Sequence, residues 1–338
     1  MKKINNLFEL RAAAAILIVI SHIPITAKLI GPSLGGFGVA IFFMLSAFLL
    51  CYSTEKSCIS FIKKRIIRIL PLYYFMTIFT FILVCVKPTF FLTTTPSFSN
   101  FIKSLLFIPY VNLNGLVRPI LDVGWALFPE VWLYILYAIL IKYFYNYRNI
   151  IASFVLIVIF ITGELFFIKS PIYLQFKMAC PAFLLGIVLY YIWYMLNLNN
   201  RTYNFVYSSY LYSAICYVIF FISSIIYDIA ITKNVGIYSL FLPFFVFLIF
   251  LLFEGKNKKS PFMIQISAAS YSLYLTHEFV VKGFSRLIYN MEVISLISLL
   301  LTVILVIIAI TLAFMVEKYI NKPLSKKIET LIDQSGRK

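Results

Sequence analysis

The stretch Leu10–Ile25, LRAAAAILIVISHIPI, is apolar apart from Arg11 at its mouth and Ser21-His22 near its end. A hydrophobic segment needs neither a cation nor an imidazole to pack, so the solvent around it decides its meaning. Composition identifies that solvent. The chain has 338 residues, of which 62% are hydrophobic and 12% charged, with a mean hydropathy of +0.98. Soluble domains are roughly 45–50% apolar and about 25% charged. Such an excess does not fit one aqueous core, and the chain reads as an all-α polytopic membrane protein with lipid as its main solvent.

Apolar runs separated by short polar breaks predict a bundle of about ten transmembrane helices. They fall near 12–30, 37–54, 66–86, 121–141, 150–168, 178–196, 205–226, 236–253, 264–282 and 293–316. The breaks NLNNRTYN (197–204) and EGKNKKSP (254–261) are the clearest. The membrane domain is expected over 1–320, followed by a cytoplasmic tail over 321–338. Placing the N-terminus inside puts most of the 29 Lys and Arg on the cytoplasmic side, including KSCISFIKKRIIR and the Lys-rich tail. Both termini are then cytoplasmic. The formal net charge of +17 is explained by topology, because the cations lie between apolar runs rather than in a patch, and nucleic acid is not an expected partner. The MKK start resembles a signal peptide, but PITAK makes a poor cleavage site. The segment 87–120 reads as a partly ordered cap or re-entrant piece.

Cys51, Cys58, Cys85, Cys180 and Cys216 show no metal-ligand spacing and imply no disulfide framework. THEFVV begins like a zinc-binding helix, but Val281 stands where the second histidine is needed. No metal site is expected. Asn200-Arg201-Thr202 is a formal glycosylation sequon on a segment read as cytoplasmic.

Ionisable groups inside a bilayer are costly and point to function. Arg11 and His22, at about 100° and 1.5 Å per residue, lie about 20° apart around one helix and about 16 Å apart along it. Arg11 then sits at the cytoplasmic mouth, with His22 near or beyond the midplane. Glu130, in GWALFPEVWLY, is expected at comparable depth, where His22 is a possible partner. His277, in SYSLYLTHEFVV, reaches similar depth from the other side. Arg65 and Arg68 share a face where the third helix begins, and arginine forks suit phosphate. Each group also has a plain reading: a satisfied core histidine, a structural ion pair, or a positive-inside anchor on anionic lipid.

Together these segments resemble the acyltransferase 3 family of membrane O-acyltransferases. Arg11 and His22 match its Arg, ten residues, His pattern. FGVAIFFMLSAFLL resembles its second-helix signature, and FIKKRIIRILPLYY its basic segment followed by Pro and Tyr. WALFPEVWLY resembles W-x-L-x-x-E-x-x-x-Y through Trp125, Leu127, Glu130 and Tyr134. SYSLYLTH resembles a late S-Y-x-x-Y-L-x-H element. Glu9 stands where the family usually has Gly, Ala47 replaces the signature Gly, and Val131 replaces a frequent second Glu. The chain resembles the short form, without an SGNH esterase-like domain.

The resemblance implies transfer of an acyl group, usually acetyl from acetyl-CoA, to a hydroxyl of a surface glycan or its lipid-linked precursor. His22 would be the base and Glu130 its supporting acid. Arg11, Arg65 and Arg68 would hold the CoA phosphates, and His277, Trp125 and Tyr134 are additional candidates. Acetyl-CoA is expected as a substrate, with no tightly bound cofactor. Acyl-CoA, the glycan and membrane lipid would be the partners, at the inner or plasma membrane. A glycan or lipid transporter, flippase or polymerase is the alternative, as is a succinyl-type enzyme of the same family.

Overall fold

A computed structural model describes residues 4, 6–29, 33–53, 55–88, 94–112, 114–198, 216, 218–227, 240–252, 260–288 and 296–335. Its regular structure is helical: α1 Asn6–His22, α2 Pro24–Leu29, α3 Leu34–Tyr52, α4 Cys58–Val86, α5 Phe98–Leu105, α6 Leu127–Tyr143, α7 Arg148–Phe166 and α8 Pro171–Leu198. Then follow α9 Val218–Tyr227, α10 Phe241–Leu252, α11 Pro261–Ala268, α12 Ser270–Ile288, α13 Leu296–Val316 and α14 Lys322–Ser335. An isolated Val111–Val117 bridge is the sole β pairing among the described residues. Six of the described helical stretches are long and apolar enough to cross a membrane. The chain is an all-α, multi-pass membrane protein.

Several boundaries differ from the expected spans. The first helix begins earlier and stops at His22, with α2 restarting after Ile23. Pro24 explains the break, since proline lacks an N–H and disfavours helical geometry in the residue before it. The third expected span extends back to Cys58, capped by Ser57, whose hydroxyl accepts from the Ser60 N–H at 3.3 Å. The expected span 264–282 divides into α11 and α12 at Ala269. The sequon at 200–202 and the first part of the span 205–226 lie outside the described residues.

The chain forms two compact units, residues 1–52 with 181–310 and residues 53–180 with 311–338. In the first unit, α1 packs on α3, α10, α11 and α12. Its run of alanines and the glycines of α3 let the backbones approach closely. A Cβ on Gly38 would meet the Ala14 carbonyl oxygen at 2.8 Å, and one on Gly35 would meet the Ser21 hydroxyl at 2.6 Å. From Asn6 to Ser21 no side chain of α1 is exposed, as expected for a helix buried all round. At one end of this unit Phe48 gathers Tyr52, Tyr190, Trp193 and Phe247, with ring centroids 5.6–6.2 Å away.

In the second unit, α4 packs on α5, α6 and α14. The segment read as a cap contains α5 and is pinned through Ser104. Its carbonyl accepts from the Tyr73 hydroxyl at 2.9 Å, and its hydroxyl accepts from the Ile120 N–H at 2.9 Å. The Gln175 amide donates to the Val117 carbonyl at 2.6 Å. The tail over 321–338 is helical through Ser335, and its Ser325 hydroxyl donates to the Ile67 carbonyl of α4 at 3.1 Å.

Candidate active site

His22 is the last residue of α1, a position set by Pro24. The broken helix leaves carbonyls without their usual donors. Side chains from the break supply replacements: Thr26 donates to the carbonyls of Ile20 and Ile23, and Ser21 donates to Ile18 at 2.7 Å. His22 joins them, with Nδ1 at 2.8 Å from the Ile18 carbonyl. A carbonyl only accepts, so this bond requires the hydrogen on Nδ1, and the neutral form of such a ring has its lone pair on Nε2. Although α1 is otherwise covered, the His22 side chain is exposed. Arg11 lies toward the other end of the helix, half-buried, with its guanidinium 6.0 Å from the centre of the Phe42 ring.

His277 reaches the same place from α12. Its ring centroid is 4.9 Å from that of His22, edge-to-face at 72°. It repeats the bonding of His22 one helix away, with Nδ1 at 3.1 Å from the Leu273 carbonyl. It differs in burial: His277 is 0% exposed, and its Nε2 has no hydrogen-bond partner among the described residues. The next residue, Glu278, is also buried and pairs with Lys282 one turn on.

The second unit holds the other candidates. Glu130 lies in the first turn of α6 and accepts a hydrogen bond from Tyr134 one turn later. The expectation of a His22–Glu130 pair concerns residues of separate units; within its own unit, Tyr134 is a bonded neighbour of Glu130. The Arg65 guanidinium lies 4.9 Å from the Tyr134 ring centre and 5.2 Å from that of Phe61, in the range of cation–π attraction. Its Nε is buried without a hydrogen-bond partner among the described residues.

The four cations of the basic stretch are not equivalent. Lys63 pairs with Asp333 and Lys64 with Glu55. The Lys64 hydrogen bond holds the Glu55 carboxyl below its ordinary value. Arg65 and Arg68 have no carboxylate partner among the described residues. Because α4 begins at Cys58, both arginines lie inside a helix rather than at its first turn. Arg65, Tyr134 and Lys142 line one cavity of about 570 Å³ with Phe61, Ile69 and Phe107.

Trp125 sits in the 3₁₀ turn Asp122–Ala126 that precedes α6. The Arg118 guanidinium covers its ring at 4.6 Å and lies 3.8 Å from Asp122. Trp125 is thus engaged by the cap segment. Among the described residues, no three His, Cys, Asp or Glu side chains form a metal-binding group.

Sequence reasoning overlooked Phe61 and Gly35. Phe61 is four residues before Arg65, the spacing at which helical side chains meet, so that contact was readable. Gly35, whose added Cβ would also come within 3.6 Å of His22 Cε1, had no local signal.

The first unit therefore presents an imidazole whose free nitrogen can take a proton. The second presents two arginines available to an anion. One family model, described as an acyltransferase domain, matches residues 9–318, nearly the whole chain. Neither a curated protein nor a solved structure matches it.

Proposed function

This chain belongs to the acyltransferase family, and from that premise we propose that it is a membrane O-acetyltransferase. The donor is acetyl-CoA, and the acceptor is a hydroxyl of a cell-surface glycan or its lipid-linked precursor. One observation carries the assignment of the base. On a helix covered along the rest of its length, the exposed side chain is an imidazole held with its Nε2 lone pair free.

A hydroxyl is a poor nucleophile near neutral pH, and a neutral imidazole in reach removes its proton as attack proceeds. The acceptor O–H bond breaks and its proton goes to His22 Nε2. The oxygen bonds to the acetyl carbon, the carbon–sulfur bond breaks, and His22 returns the proton to the leaving thiolate. The products are an acetyl ester and free CoA, and the base is restored.

The donor's phosphates fall to Arg65 and Arg68, whose guanidinium groups are free of carboxylates among the described residues and suit phosphate oxygens. Arg11 is assigned the same class of contact. Glu130 is assigned an indirect role in the second unit: it fixes the Tyr134 ring on which Arg65 rests. No bound cofactor takes part, and lipid is the surrounding partner. The chain is assigned to the cell membrane with both termini cytoplasmic. Reporter fusions after residues 34, 110, 170 and 232 should then read external, and those after 60, 147, 200 and 257 internal.

The deciding experiment combines purified protein with acetyl-CoA and follows release of the CoA thiol, alongside mass spectrometry of surface glycans from cells with and without the gene. Thiol release that needs an acceptor, together with loss of glycan acetyl groups on deletion, is the expected result. Unchanged acetylation together with no thiol release for any glycan acceptor would refute the reading.

A further inference from the structure

The chain contains two histidines, far apart in sequence, and the first unit brings their rings into contact, with centroids 4.9 Å apart. Each donates Nδ1–H to the carbonyl four residues back in its own helix. Each neutral ring therefore has Nε2 as its acceptor. In His277 that acceptor is buried and has no described partner, a desolvation cost that an apolar side chain of similar size would not carry. Filling space alone does not account for an imidazole here.

Among the described residues, the charged and titratable groups around His277 are few. From α1 there is His22, while Glu9 and Arg11 lie toward the far end of that helix. The helix α11 carries none, and α2 carries Lys28. Its own helix supplies Tyr274, at 6.1 Å between ring centres, and the paired Glu278 and Lys282. The group in ring contact with His277 that changes charge in the proposed reaction is His22.

We propose that His277 is the positioning residue for His22. It holds the His22 ring edge-to-face and keeps a neutral imidazole against the imidazolium that His22 becomes while it carries the acceptor's proton. His277 exchanges no proton with substrate. It acts through His22, and two touching imidazoles do not readily carry charge together. This inference rests on His22 being the base of the proposed transfer.

Because the chain has two histidines, labelling them with ¹³C and ¹⁵N in the full-length protein in lipid nanodiscs gives two imidazole signals, assigned with His22→Gln. In the unmutated protein, the His277 signal should respond at the same pH as the titration of His22. Independent behaviour of the two rings would overturn the proposal.

His277→Phe keeps an aromatic ring but removes both nitrogens. It should lower kcat by about ten- to a hundredfold with KM for donor and acceptor unchanged. It should also change how the His22 signal responds to pH, because the neighbouring imidazole is gone. His277→Gln, which restores an acceptor oxygen, should recover part of both effects. A folded His277→Phe protein with normal kcat and an unmoved His22 titration would also overturn the proposal. If His277→Phe does not fold, the unmutated titration and His277→Gln decide. Coupled imidazoles in a protein that transfers no acyl group would leave the pair standing and reject the transfer reading; normal transfer with uncoupled imidazoles would do the reverse.

Discussion

The two units handle ionisable side chains in different ways. In the first, His22 and His277 each bond a carbonyl of their own helix, four residues back. In the second, Arg65 rests on Tyr134 from another helix as well as on Phe61 from its own. The first device is local. It orients each ring through backbone geometry and leaves one nitrogen in a defined state. The second depends on α4 and α6 packing together, and the aromatic faces leave the hydrogen-bonding fork of the arginine uncommitted. A proton acceptor needs a set tautomer, whereas an anion site needs free donors. The two kinds of support match the two proposed roles.

The largest test strikes the local device. His22→Gln keeps a similar size and hydrogen-bonding capacity but does not take a proton near neutral pH. It should lower acyl transfer by about 10²–10⁴-fold, measured as CoA release, with normal yield of folded protein. Activity near the unmutated level would return His22 to a structural role and remove the contrast between the units.

Next comes the anion site. Arg65→Ala with Arg68→Ala should raise the apparent KM for acetyl-CoA by about ten- to a hundredfold, since hydrogen bonds to charged groups contribute about 1.5–3 kcal/mol. Lys63→Ala with Lys64→Ala is the control. Those cations already have carboxylate partners, and the pair should leave KM unchanged. Equal effects from both double variants would show that general charge, not the two arginines, governs donor use.

Gly38→Ala tests whether the close approach of α1 and α3 matters. The added carbon meets a backbone oxygen at 2.8 Å and Ile18 Cγ1 at 2.7 Å, so α1 has to shift. A loss of about 1–3 kcal/mol is expected, read as a lower Tm in detergent, together with reduced kcat through movement of His22. An unchanged Tm would show that the helices separate freely.

The smallest effect belongs to Tyr134→Phe, which keeps the ring beneath Arg65 and removes the hydroxyl bonded to Glu130. About 1 kcal/mol, or roughly fivefold in donor KM, is expected. A loss as large as that of the arginine pair would place the Tyr134 hydroxyl itself on the donor.

The sequence by itself determined that this is a multi-pass helical membrane protein, because hydrophobic runs of this length and number have no other stable solvent. It also brought Arg11 and His22 onto one stripe of one helix, because helical periodicity is a local property, although the expected span ran through Pro24 to residue 30 and the structure ends that helix at His22. The ordered motifs identified the family, as the match over residues 9–318 shows. Tertiary structure decided the rest. The contact between His22 and His277 joins residues far apart in sequence, and no period or spacing specifies such a pair. The covering of α1 up to its last residue, the choice of Lys63 and Lys64 over Arg65 and Arg68 as partners for carboxylates, and the resting of Arg65 on Tyr134 depend on which helices pack together. That choice is made by the summed packing of many side chains, and no single segment of the sequence contains it.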